Sequence, residues 1–187
     1  MELVSTAIAA ISLIVSIYAI RIAKKEPARA RVRANRDIVR AGLREVRKSL
    51  DSASSRLRAG EPLGAVADSI PAAIEILDEY QPRLPDPELR PISAQLQLVR
   101  IPWRSVERAE RRIEQCKTFI RDFEELVGLV DESGSGGQVI RRYQDEIDTE
   151  SRVREAGVAE LREETKKLSS LIDGYVGKLD ASDREGA

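Results

Sequence analysis

The sequence contains no histidine, a single cysteine (Cys116) and few aromatic residues, which make up 4% of its 187 residues. Histidine is the commonest general base and transition-metal ligand, so its absence counts against many classes of enzyme. One cysteine cannot form a disulfide within the chain, so an oxidising compartment is not required. No nucleophile–base pair, metal-binding cluster or phosphate loop can be assembled from the residues present. We therefore expect no catalytic activity, metal or cofactor, and we see no sign of a small-molecule substrate.

Charged residues are abundant, at 34% of the chain, and their distribution is uneven. This composition, with few aromatic residues, favours long helices over a β-sandwich or barrel. The net charge of −1 conceals two opposite halves. Residues 21–48 hold eleven basic and three acidic side chains, whereas the chain from Ser49 onward holds twenty basic and twenty-eight acidic ones. The two parts therefore need separate interpretations.

The run from Leu3 to Ile20 contains no charged residue, and at 18 residues it is long enough to cross a membrane as a helix. A secretory signal would carry positive charge before this run and small residues after it, but here Glu2 precedes it and Arg21 follows. A buried helix of a soluble domain, the other alternative, would normally have a polar face. The sequence therefore predicts an anchor over residues 1–23. The positive charge that follows places the C-terminal body in the cytoplasm, with the N-terminus outside a bacterial inner membrane.

Two sets of residues are candidates for contacts at this anchor. Small residues at spacings of three and four form one stripe of the predicted span, where two helices could associate, although small residues are common in such spans. Basic side chains beside the span are expected to hold anionic lipid. The stripe comprises Ser5, Ala9, Ser12, Ser16 and Ala19. The flanking basic set comprises Arg21, Lys24, Lys25, Arg29, Arg31 and Arg33.

Residues 24–58 form the predicted basic helix next to the membrane. Its charge admits three interpretations: orientation of the anchor, contact with anionic lipid, or binding of a nucleic-acid backbone. No aromatic residue lies between Arg21 and Lys48, so bases would have no side chain on which to stack. Nucleic acid is therefore the less favoured partner, and we expect lipid contact here.

Apolar residues recur every three or four positions through the rest of the chain, which predicts an all-α body. Residues 59–102 are predicted to hold short helices and a proline-rich bend at 81–91. The first helical stretch covers 63–77, where Ser69 and Pro71 indicate a kink or a restart. Asp86 is the expected N-cap of the helix after that bend. A kink or short break is expected at Glu26-Pro27, and a boundary at Pro102. Residues 103–180 form a predicted long hairpin with a Gly/Ser loop at 131–137, and residues 181–187 a disordered tail.

The heptad seams of this hairpin need partner helices. An antiparallel bundle within one chain is the favoured arrangement, and pairing between chains is the alternative. Cys116 lies on a seam and is expected to be buried as a small apolar residue. Trp103 is expected to pack at a helix junction rather than to enter the membrane interface. The chain is thus predicted to be a membrane-anchored, non-catalytic helical interaction or scaffolding protein with a protein partner or self-association; the alternative is a tethered binder of nucleic acid or anionic surfaces through residues 24–48.

Overall fold

The computed structural model describes the backbone of residues 2–127 and 136–185 and the side chains of residues 28–126 and 136–185. Four helices account for most of this part of the chain: α1 (Glu2–Ala59), α2 (Ser69–Tyr80), α3 (Leu89–Val127) and α4 (Gly136–Glu185). A 3-10 turn, Gln81–Arg83, follows α2, and the described residues include no strand. The prediction of an all-α helical bundle is confirmed.

The predicted anchor, residues 1–23, lies outside the residues whose side chains are described. Among the residues whose side chains are described, no helix combines the length and apolarity needed to span a bilayer. The backbone of α1 continues as helix through Glu26 and Pro27, so the helix is not interrupted there, and of the two expectations the short break is wrong.

The end of α1 is set by Gly60, which adopts a left-handed conformation with φ of 72°. The amide of Glu61 donates to the carbonyl of Arg56 at 3.0 Å, which closes the last turn as a Schellman motif. Residues 61–68 then form an irregular segment that leads to α2. The first turns of the stretch predicted over 63–77 are not helical, and Gly64 has a positive φ of 74° there, whereas the restart expected at Ser69 is confirmed by the start of α2.

α3 runs through Pro102 without a break, so the boundary expected between residues 102 and 103 is absent. A proline inside a helix removes one backbone hydrogen bond, and tight packing against a neighbouring helix can offset that loss. Pro102 is buried, and α4 passes very close to it at Gly157. Packing between the two helices, rather than local propensity, keeps α3 continuous at this point.

The core lies between α1, α2, the N-terminal part of α3 and the C-terminal part of α4. Contacts at residues 95 and 164 and at residues 112 and 146 show that α3 and α4 are antiparallel. Contacts from Arg40 to Asp183 and from Arg162 to Leu57 show that α1 is also antiparallel to α4. The apolar residues that recur every three or four positions in α1 from Val39 onward are buried, and so are the apolar residues at the start of α3. These buried residues include Val39, Leu43, Val46, Leu50, Leu57, Leu89, Ile92, Leu96 and Val99.

Beyond Glu110 the α3–α4 hairpin extends past the other helices as an arm, which we define as residues 111–126 and 136–153. The polar and aromatic contacts that α3 makes with other elements in the arm are with α4, at Arg112–Glu146 and Phe119–Tyr143. Seam residues of the arm such as Ile113, Ile120 and Ile147 are only half-buried. Most of the predicted Gly/Ser loop, 131–137, lies outside the described residues, although Gly136 and Gly137 belong to α4.

α4 extends to Glu185, so the tail predicted to be disordered from residue 181 is helical at least that far. Asp183 pairs with Arg40 at 2.7 Å, and Asp180 pairs with Arg44 at 3.1 Å. These interactions with α1 hold the last turns of α4 against the bundle.

Candidate interaction surfaces

A row of arginines on α1 faces a row of aspartates on the C-terminal part of α4. Because the two helices are antiparallel, arginines about one turn apart on α1 meet acids in reverse order along α4. Arg40 contacts Asp183 at 2.7 Å and Arg44 contacts Asp180 at 3.1 Å. Arg47 continues the row with a 3.1 Å contact to Asp173, and this contact is the main cause that raises the pKa of Arg47. The row therefore neutralises the basic charge of this part of α1 within the molecule.

Arg36 continues this row towards the N-terminus, but its partner is Asp86 in the proline-rich bend. The Arg36 Nε donates to Asp86 Oδ2 at 2.9 Å, and the Tyr175 hydroxyl donates to the same oxygen at 3.0 Å. Burial disfavours the charged carboxylate, but the hydrogen bonds from Arg36 and Tyr175 outweigh burial and lower the pKa of Asp86. Burial, with the nearby Asp86 charge, raises the pKa of Tyr175. The prediction that Asp86 caps α3 is wrong, because its carboxylate joins α1 to α4 instead.

Part of the predicted basic segment remains exposed to solvent. Arg29, Arg31 and Arg33 are exposed and form no ion pair with any described residue. Arg29 and Arg33 lie one turn apart beside a groove of about 650 Å³, and Pro85 of the proline-rich bend lines the same groove. These three arginines are the part of the predicted lipid-binding set that the structure describes. The rest of that set (Arg21, Lys24 and Lys25) and the small-residue stripe Ser5, Ala9, Ser12, Ser16 and Ala19 lie outside the described side chains.

Glu110, at the base of the arm, joins three segments of the chain. Its Oε2 accepts hydrogen bonds from the backbone amides of Leu63 at 2.8 Å and Gly64 at 3.3 Å. Its Oε1 receives a bond from Arg154 of α4 at 2.9 Å, and its side chain is only 12% exposed. Trp103 binds the same loop by donating to the carbonyl of Gly64 at 3.3 Å. Sequence reasoning missed Glu110, because in the heptad pattern it resembles every other charged residue of α3.

We expect Glu110→Ala to lower the free energy of unfolding by about 2 kcal/mol, because it leaves two loop amides and a guanidinium without their partner. Urea unfolding followed by circular dichroism measures the change. Glu114→Ala, an exposed position one turn further along α3, is the matched control and should alter stability by less than about 0.5 kcal/mol. Equal losses in both variants would contradict the role assigned to Glu110.

Two other sequence interpretations are confirmed. Trp103 is 2% exposed and packs where the α1–α2 loop meets α3, as a junction residue should. Cys116 is 1% exposed, and burial raises the pKa of its thiol.

Among the described residues, no group of three or more Cys, Asp or Glu side chains converges in a way that could hold a metal ion.

Comparisons with protein-family models, with curated proteins and with solved structures find no significant match to this chain.

Proposed function

We propose that the protein is a single-pass, membrane-anchored helical scaffold without catalytic activity, with its N-terminus outside and its body on the cytoplasmic side of an inner membrane. The proposal depends chiefly on the uncharged run from Leu3 to Ile20, which belongs to the same helix, α1, that forms one side of the core. A run of this length satisfies its own backbone hydrogen bonds inside lipid when helical. Arg29, Arg31 and Arg33 follow within about four turns of its end, where an anionic leaflet would attract them.

The directions of the helices support a scaffold that presents its arm away from the anchor. Asp86, which precedes α3, pairs with Arg36 of α1. The start of α3 therefore lies near Arg36, towards the end of the bundle from which α1 enters. From there α3 runs for 39 residues in the direction of α1. At 1.5 Å per residue, the end of the arm lies about 70 Å along the bundle from Ala28. Such a shape holds a binding surface well clear of the lipid headgroups.

The ion pairs that α1 makes with α4 and with the proline-rich bend count against the alternative of a nucleic-acid binder acting through residues 24–48. A phosphate backbone would have to compete with Asp86, Asp180 and Asp183 for the arginines they already hold. The affinity for a phosphate backbone depends on how many basic side chains can neutralise phosphates, so it falls steeply when fewer of them are free to do so. Lipid contact needs only the exposed arginines nearest the anchor, and we therefore favour it.

Extraction and protease protection test the anchor and its orientation together. The full chain, expressed in bacteria, should stay in the membrane pellet after an alkaline carbonate wash. Protease added outside spheroplasts should leave the body intact, whereas protease added to inverted vesicles should digest it. Recovery of the chain in the carbonate supernatant, or digestion of the body from outside, would exclude this proposal.

Lipid contact by the exposed arginines gives a separate prediction. The triple variant Arg29→Gln, Arg31→Gln and Arg33→Gln should retain less phosphatidylglycerol than the native chain, because each arginine near an anionic leaflet contributes about 1 kcal/mol. Native mass spectrometry of the chain released from mixed vesicles counts the bound lipids. The matched control removes three exposed arginines of α4, Arg141, Arg142 and Arg152, and should retain as much lipid as the native chain. Tight, salt-sensitive binding of a DNA duplex by the native chain would favour the alternative function.

A further inference from the structure

The outward face of α3 in the arm carries a shallow groove that nothing in the described part of the chain covers. The groove has a volume of about 530 Å³ and is formed by α3 alone. Phe119 contributes an aromatic ring that remains 39% exposed, although it also stacks on Tyr143 with 4.1 Å between ring centroids. An exposed aromatic ring flanked by charged side chains is typical of a protein-binding surface. The residues lining the groove are Arg111, Glu114, Gln115, Thr118, Phe119 and Asp122.

Charge changes sign along this face. The end nearer Glu110 carries three arginines (Arg104, Arg108 and Arg111) and one acid, Glu107, Glu114 lies near the middle, and the far end carries Asp122 and Glu125. A second identical helix placed parallel would set arginine against arginine and acid against acid. The same helix placed antiparallel would set each basic end against an acidic end, which is the favourable arrangement.

We propose that this face of α3 binds the same face of a second copy of the chain in antiparallel orientation, around a twofold axis. An axis that passes between positions 116 and 117 places Arg111 of each copy opposite Asp122 of the other, and Gln115 opposite Thr118. It also lays each Phe119 ring along the methylene groups of the other copy's Glu114. A twofold contact is self-complementary, so the Arg111–Asp122 pair occurs twice in it.

Both charged residues of this pair are available. Arg111 is 71% exposed, and its ion pair in the single chain is with Glu107 on its own helix. Asp122 is 59% exposed, and its ion pair within the described part of the chain is with its neighbour Arg121, at 3.4 Å. Exposed pairs of this kind contribute little, so exchanging them for pairs across the interface costs little. One face of one helix buries a small area, so we expect a weak dimer that dissociates as salt increases.

Charge reversal tests the proposal on the full chain in a neutral detergent by analytical ultracentrifugation. The native chain should dimerise at low salt, and Arg111→Asp or Asp122→Arg alone should weaken dimerisation by about tenfold or more, since each sets like charges together twice. The double variant carrying both reversals should recover the native affinity, because each copy again meets opposite charges. Arg141→Asp, an exposed reversal on α4 of the arm, is the control and should leave dimerisation unchanged.

Each other result overturns the proposal. A native chain that remains monomeric at about 100 µM in low salt lacks the interface, as an interface of even modest size would be populated there. A dimer that neither reversal weakens uses another surface, such as the small-residue stripe of the predicted anchor. A double variant that remains as weak as the single variants excludes the antiparallel register. The measurement does not depend on membrane insertion, so its failure leaves the proposed function standing, and loss of the anchor leaves this surface standing.

Discussion

Gly157→Leu should lower the free energy of unfolding by about 3 kcal/mol, because α4 lies against α3 at position 157 with no room for a side chain. A Cβ atom at this glycine would lie 2.9 Å from Val106 Cγ2 and 3.7 Å from the carbonyl oxygen of Pro102. Val106 is fully buried and β-branched, so it has no alternative rotamer that could make room. A leucine side chain would force the two helices apart where α3 depends on this packing to pass through Pro102. Gly157→Ala should show a smaller loss, of about 1 kcal/mol.

Two other glycines of α4 should show the opposite effect on stability when they are replaced by alanine. Gly174 and Gly177 have no atom within 4 Å of an added Cβ. Gly174→Ala and Gly177→Ala should each raise the free energy of unfolding by about 0.5–1 kcal/mol, because alanine loses less backbone entropy in a helix. Urea unfolding of the full chain, monitored by circular dichroism, compares all four variants. A stabilised Gly157→Ala would mean that helix propensity outweighs the contact with Val106, contrary to the packing described.

Asp86→Ala should cost about 3 kcal/mol of stability, because it removes one acceptor shared by two buried or half-buried donors. The Asp86 side chain is 10% exposed, and Tyr175 is 3% exposed. Without the carboxylate, the Arg36 guanidinium loses its partner and the tyrosine hydroxyl is left without an acceptor. Asp86→Asn keeps an oxygen for Tyr175 but loses the charge, so its cost should be roughly half as large. Asp148→Ala, at an exposed position on α4, is the control and should change stability little.

The effect of Asp86 should also depend on pH. The pKa of Asp86 is lowered in the folded protein from its ordinary value of 3.8. A carboxyl group with a lowered pKa contributes stability above its unfolded pKa and loses that contribution as pH falls through the folded pKa. The stability difference between the native chain and Asp86→Ala should therefore be constant from pH 7 to about pH 5 and shrink below about pH 4. Urea unfolding at a series of pH values measures it, and a difference that grows in acid would contradict the assignment.

The local pattern of the sequence predicted the helices and most of their buried faces. Seam residues such as Leu43, Leu50, Leu161 and Leu168 lie in the core because a 3-4 repeat places them on one side of a helix. The stop at Gly60 was also predictable, since it needs only the turn residues themselves. These features depend on neighbours within a few positions, and local pattern is sufficient for them.

Features that depend on how the helices pack were not predictable in the same way. Arg40 and Asp183 are 143 positions apart, and only the antiparallel packing of α1 on α4 brings them together. The sequence therefore indicated a basic surface over residues 24–48, whereas the structure pairs the arginines of its second half within the molecule. Glu110 resembles any solvated acid until the α1–α2 loop packs beside it. Pro102 looks like a helix end because propensity alone does not include the support of a neighbouring helix.

The continuity of α1 through Pro27 has a mechanical consequence. A continuous helix transmits a change in its direction to α2 and α4, which pack against it, and through α4 to α3 and the arm. Helices in bilayers commonly tilt by about 20°, and over about 70 Å that angle displaces the far end by roughly 25 Å. If α1 is anchored as we propose, a change in bilayer thickness that altered its tilt by this angle would displace the tip of the arm by about twice the diameter of a helix.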